Sequence, residues 1–215
     1  EATSSEDRPN SKDATWGTEG ADTWYVVNGA VTIYGVLNLK GNVHLILTDG
    51  CTLTVKFFLF GKNNCNLTIY GQNAGTGKLI ATGGGEVNYP YGIRIDNGGS
   101  LTINGGVIEA SAANSKDAAG IKATYGTVTI NGGSVTAGSA NDGAGIYVKT
   151  LNINGGTVTA TGTGSGVGIK GSAASSITIT GGNVTATAAS GAGISGGTIT
   201  ISGSTEVTAT GAGSG

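Results

Sequence analysis

Apolar and polar positions alternate in short runs along most of the chain, and from about residue 101 the runs repeat as one sentence. The copies are LTINGG (101–106), VTINGG (128–133), LNINGG (151–156), ITITGG (177–182) and ITISGS (199–204). Their first turn glycines, Gly105, Gly132, Gly155, Gly181 and Gly203, are spaced by 27, 23, 26 and 22 residues. A period in the twenties, built from pieces too short and too β-branched for helices, predicts a solenoid in which each repeat is one coil.

Two further pieces complete each coil. VIEA (107–110), SVTA (134–137), TVTA (157–160), NVTA (183–186) and EVTA (206–209) follow the first strand. After a corner rich in Gly, Ala and Ser come GIRI (92–95), GIKA (120–123), GIYV (145–148), GIKG (168–171) and GISG (193–196). Three alternating strands per coil predict three flat faces around a narrow interior. Leu101, Val128, Leu151, Ile177 and Ile199 then stack inward on the first face, and Ile93, Ile121, Ile146, Ile169 and Ile194 on the third. Corners this sharp call for positive φ, which Asn-Gly and Gly-Gly tolerate, and this is the reason expected for most of the 42 glycines.

Upstream the rhythm is less regular. Tyr25–Val27, Val31–Ile33, Leu37–Leu39, Val43–Leu47, Leu53–Val55, Phe57–Phe60, Leu67–Ile69 and Leu79–Ala81 read as strands bounded by Asn, Gly or Asp. Residues 23–215 are thus expected to form one domain of about seven to eight coils. Residues 1–22 are polar, with Trp16 as their large apolar group, and read as a linker or an N-terminal cap; Trp16 and Trp24 favour the cap.

Composition narrows the function. Charged residues make up 11%, the net charge is −2 and there is one His, so the basic surface that a nucleic acid requires is missing. No apolar run reaches the roughly 18 residues of a membrane span, and no signal peptide stands at Glu1, as in a processed secreted protein or a trimmed chain. The C-terminal GAGSG follows a strand directly, an open coil end suited to further repeats or to self-association. Cys51 and Cys65 each precede an inward Leu by two residues. They fit either a disulfide between neighbouring coils or two small buried side chains, and neither has the neighbours of a metal or thiol-catalytic site.

The segment WYVVNGAVTIYGVLNLKGNVHLILTDGCTLTV (24–55), LTIYGQ (67–72) and the reiterated TINGGxVTA units resemble the parallel β-helix repeat regions of secreted and cell-surface proteins of anaerobic gut-type bacteria. Such regions are described as adhesin-like or carbohydrate-binding. The resemblance covers nearly all of residues 24–215. It implies a right-handed parallel β-helix on a secreted or cell-surface protein, and it brings no catalytic residues.

On this frame the residue after each inward Ile of the third strand points outward. Arg94, Lys122, Tyr147 and Lys170 therefore form a column stepping about 4.8 Å per coil and ending at Ser195. Phe60 joins it one coil earlier, and Tyr89, Tyr91 and Lys149 lie beside it. Like charges on neighbouring strands repel, so the column needs a reason. One is an acidic polysaccharide or other surface glycan laid along the axis, with Tyr147 as a stacking face. The other is lysine stems lying along the sheet and pairing with Asp96, Glu109, Asp117 or Asp142.

Three weaker readings remain. Thr136, Thr159, Thr185 and Thr208, flanked by Thr157, Thr161, Thr187 and Thr210, resemble the flat hydroxyl arrays of ice-binding solenoids, but Glu109, Glu206 and Gly138 interrupt them. Asp49, Asp96, Asp117 and Asp142 sit at corners where a structural calcium ion is conceivable, yet they are isolated and no cofactor or metal site is expected. An enzyme would need converging carboxylates on long loops. The chain has 13 acidic residues, six of them in the first 22, and one polar aromatic corner with Arg94, Asp96, Glu86, Tyr89 and Tyr91. The expectation is a non-catalytic binding module, with a structural stalk or head-to-tail filament subunit as the competing class.

Overall fold

Where every second residue is apolar, one side of a strand must leave water, and three such strands per turn can close on a shared interior. The computed structural model describes residues 13–83, 90–113 and 117–212, and it is a parallel β-solenoid with no helix among them. Its strands form one continuous sheet in which each strand pairs with its counterparts one turn before and after. The first face is crossed eight times: by Asp22–Val27, Asn42–Leu47, Asn66–Gly71 and Ser100–Ile103, then by parts of Ala119–Ile130, Ala144–Ile153, Ile169–Ala188 and Thr198–Thr210.

The expected ladders are present in register. Val43, Leu67, Leu101, Val128, Leu151 and Ile177 stack on the first face, and Leu59, Ile93, Ile121, Ile146 and Ile169 on the third; all are buried. Burying each such side chain is worth about 1.5–3 kcal/mol, so the stacked columns supply the main driving force. In the last coil the first-face ladder opens, with Ile199 42% and Ile201 51% exposed.

The asparagines of the repeat do more than turn the chain. Asn131 Nδ2 donates to Asn104 Oδ1, and Asn154 Nδ2 to Asn131 Oδ1, each at 2.8 Å. A second polar ladder runs up the other side of the first face: Asn42 to Asp22, Asn66 to Asn42, and Ser100 to Asn66. Each amide satisfies the next, so register is reinforced outside the core as well as inside it.

The glycines depart from expectation. Thirteen among the described residues take positive φ, a minority of the 42 in the chain. In the repeated turn it is the second glycine that does so: Gly106, Gly133, Gly156 and Gly182. A separate column, Gly92, Gly120, Gly145, Gly168 and Gly193, opens each third strand for a steric reason. A methyl group there would meet the carbonyl oxygens of Ala81, Ala110, Ala137, Ala160 and Ala186, respectively. The backbones of the second and third strands thus approach too closely there for any side chain on the third-strand residue.

The N-terminal boundary also moves. Ala14–Trp16, inside the stretch expected to be a linker or cap, is a strand paired with Leu37–Leu39. Trp16 stacks on Tyr25 at 4.5 Å and 10°, and Gly17 N donates to Tyr25 Oη at 2.8 Å, so this pair closes the first coil. Trp24 takes no part in that closure and points outward. At Phe57–Phe60 the third-face strand lies slightly later, as Leu59–Gly61.

Cys51 and Cys65 are free and buried, which corrects the disulfide alternative. The Cys51 carbonyl accepts from Lys78 N at the corner before the second face, whereas the Cys65 carbonyl accepts from Ser100 N at the corner before the first. Fourteen residues therefore separate two different corners rather than equivalent corners of adjacent coils. Burial pushes the Cys65 thiol up from its ordinary value of 9.0 to about 11.

Two outcomes are expected. Gly145→Ala places a methyl 2.5 Å from Thr161 N and 2.8 Å from Ala137 O, and should cost about 1–3 kcal/mol in chemical denaturation. Gly138→Ala, with no atom within 4 Å, should leave stability unchanged or slightly raised. Neither thiol should react with Ellman's reagent in the native protein at neutral pH, and both should react once it is denatured. Because Cys65 ionises near 9 when unfolded and near 11 when folded, its contribution is intact below pH 9 and is lost as pH rises through about 11, measurable as a falling melting temperature.

Candidate functional site

Alternation places the residue after each third-strand Ile on the outer surface, and parallel pairing aligns those residues coil over coil. Phe60 pairs with Arg94, Arg94 with Lys122, Lys122 with Tyr147, Tyr147 with Lys170, and Lys170 with Ser195. The structure thus brings together five of the expected site residues as one column. Tyr89 and Glu86 lie outside the described residues.

The electrostatic difficulty of a basic column is resolved by aromatic rings. Tyr91, largely buried two residues before Ile93, sits between the two adjacent cations. The Arg94 guanidinium lies 5.0 Å from its ring centroid and Lys122 Nζ 4.5 Å, and Lys122 Nζ also donates to Tyr91 Oη at 3.0 Å. Arg94 is also 5.4 Å from the Phe60 ring, and Tyr147 lies between Lys122 at 5.7 Å and Lys170 at 5.0 Å. Each exposed contact of this kind contributes about 0.5–1 kcal/mol and fixes a cation in place without cancelling its charge. Arg94 has in addition a carboxylate partner, Asp96, at 2.6 Å. Part of the column is therefore paired within the chain, through Arg94.

The column borders an open cleft of about 450 Å³ lined by Arg94, Asp96, Asp117, Lys122, Tyr125 and Tyr147, among others. Tyr125 is 69% exposed at its edge. It escaped the sequence reading because it falls between the third-strand and first-strand pieces of the repeat. The cleft combines two cations with two carboxylates, hydroxyls and aromatic faces, a set suited to hydrogen bonding and stacking with a sugar, with Lys122 as the cation that has a ring and a hydroxyl rather than a carboxylate as its partner.

The other sequence-derived surfaces take shape as follows. Thr136, Thr159, Thr185 and Thr208 form one column, and Thr161, Thr187 and Thr210 another. Glu109 continues the first column and is paired with Lys78 at 2.8 Å. Two of the corner acids, Asp49 and Asp142, act as clips between coils. Asp49 accepts from Ala74 N and Thr76 N of the next turn, and these backbone donors hold its carboxyl below the usual range; Asp142 accepts from Ser165 N. Among the described residues, no three His, Cys, Asp or Glu side chains gather in a way that could hold a metal ion. No helix among them is long and apolar enough to cross a membrane.

Comparison with known families finds the beta helix repeat at four places, residues 101–121, 128–146, 151–172 and 177–198. Searches of curated proteins and of solved structures gave no match. Three of the matched segments run from a first-face strand to the third strand of the same coil, and the fourth ends on Thr198, the first residue of the next first-face strand, so sequence comparison and geometry delimit nearly the same unit. These residues constitute a parallel β-helix repeat region.

Proposed function

We propose that the chain is a non-catalytic extracellular module of a bacterial surface protein, adhesin-like in type, which binds an acidic polysaccharide along its third face. The partner would be a secreted or host-surface glycan. The observation that carries this reading is the rigid column of Arg94, Lys122 and Lys170, with Tyr147 between the two lysines, along one side of the cleft. Arg94 and Lys122 are one rung apart and Lys122 and Lys170 two rungs, about 4.8 and about 10 Å along the axis, so anionic groups spread along a polysaccharide would meet more than one cation. The rings that hold the cations spare the ligand the cost of ordering them.

The competing reading is a structural stalk or a filament subunit whose copies stack head to tail. It would show itself as elongated particles that grow with concentration.

Affinity electrophoresis separates the two. The monomer should be retarded in gels containing polygalacturonate or alginate, with and without calcium. The retardation should fall with added salt and be at least tenfold weaker in Arg94→Ala/Lys122→Ala/Lys170→Ala. Equal retardation of the triple variant, or none by any acidic polysaccharide, would overturn the binding reading.

A further inference from the structure

The first face departs from its own repeat at its first rungs. From the third rung onward its central outward column reads Thr68, Thr102, Thr129, Asn152, Thr178 and Thr200. The same column begins with Trp24 and His44, and the column beside it holds Val26, Ile46 and Tyr70. A solvent-facing strand gains nothing from an indole, yet Trp24 is 57% exposed with Val26 beside it at 42%.

The three rings are held in one arrangement. Trp24 stacks on His44 at 4.1 Å and 11°, and on Tyr70 at 5.6 Å and 20°; His44 and Tyr70 are 6.1 Å apart at 24°. The last separation is far shorter than the two Trp24 separations laid end to end, so His44 and Tyr70 lie on the same side of the indole. They support it from behind and leave its opposite face uncovered by either ring. His44 Nδ1 and Tyr70 Oη are 3.2 Å apart, which ties the supporting pair together.

The chemistry around the indole selects its partner. Neither outward column carries an Asp, Glu, Lys or Arg at these rungs. Asp22, one position away, is occupied by Asn42 Nδ2 at 2.6 Å. One flank is a ladder of amides and a hydroxyl, Asn42, Asn66 and Ser100, and the other is Val26 and Ile46. A pyranose, apolar on its faces and polar at its rim, suits a surface with both kinds of edge. Its axial C–H bonds present positive hydrogens to the negative π face, while its hydroxyls reach polar groups at the edge. With no cation at hand, a neutral sugar loses nothing.

We infer that Trp24, supported by His44 and Tyr70, is a stacking site for a neutral β-linked glycan, separate from the third-face column. It stands on its own geometry and does not depend on acidic-polysaccharide binding.

The chain has two tryptophans, so Trp16→Phe leaves Trp24 as the sole indole reporter. Titration of that variant with cellohexaose should shift the emission to the blue and lower acrylamide quenching several-fold. In gels containing hydroxyethyl cellulose the otherwise unmodified protein should be retarded, Trp24→Ala should run free, and Tyr70→Ala should be retarded less, with circular dichroism verifying that each is folded. Arg94→Ala/Lys122→Ala/Lys170→Ala should be retarded as strongly as the parent, which separates this site from the third face. Retardation unchanged by Trp24→Ala would overturn the inference. So would the absence of any cellohexaose effect on fluorescence or quenching, or an indole already shielded from acrylamide before sugar is added, since the chain itself would then cover it.

Discussion

In-register parallel stacking is the constraint on which every other feature depends. Each residue lies over its counterpart one coil earlier, so a choice made at one position is repeated about every 4.8 Å along the axis. Inside, that rule turns single aliphatic residues into columns such as Leu101, Val128, Leu151 and Ile177. Outside, it gives the amide ladders Asn104, Asn131 and Asn154, whose hydrogen bonds would be lost by a slip of one residue. The glycine column at the corner follows from the same rule, since a crowded backbone contact, once accepted, recurs at every turn.

The rule also sets the chemistry of the surface. A solenoid offers few deep pockets, but it lines up like side chains at fixed intervals, and like charges so aligned repel. The third face meets this by interleaving rings with cations, Phe60 and Tyr91 about Arg94 and Tyr147 between Lys122 and Lys170. Its positive charge is thereby held in a rigid row. The first face shows the opposite economy: the polar column from Thr68 onward starts from an aromatic cluster at Trp24. One scaffold thus carries two chemically distinct surfaces, a cationic row bordering a cleft and an aromatic ledge.

Much of this was legible in the sequence because period-two alternation and a repeat in the twenties are both properties of the chain itself. The inward ladders and the membership of the third-face column, from Phe60 to Lys170, could be read by aligning copies. What could not be read depends on the angle between faces. The steric need for glycine at Gly92 and its successors appears only when the second and third strands converge. The corners of Cys51 and Cys65 depend on how many residues each corner spends, which the irregular N-terminal coils conceal. Tyr91, Trp24 and Tyr70 lie outside the repeated motif, and the Lys122–Tyr91 and Trp24–Tyr70 contacts cross coils, so aligning copies does not reveal them. Trp24 read as part of a cap because an exposed indole has no place in a simple solvent-facing strand.

Register on the third face can be tested by cross-linking in a protein whose Cys51 and Cys65 are replaced by Ala. Counterparts on adjacent strands are about 4.8 Å apart, within the roughly 4.4–6.8 Å between Cα atoms that a disulfide spans, whereas residues two rungs apart are about 10 Å away. Lys122→Cys combined with Tyr147→Cys should therefore form an intramolecular disulfide on mild oxidation, while Lys122→Cys combined with Lys170→Cys should remain reduced. The reverse pattern, or no cross-link in the first pair, would contradict the register from which both surfaces are derived.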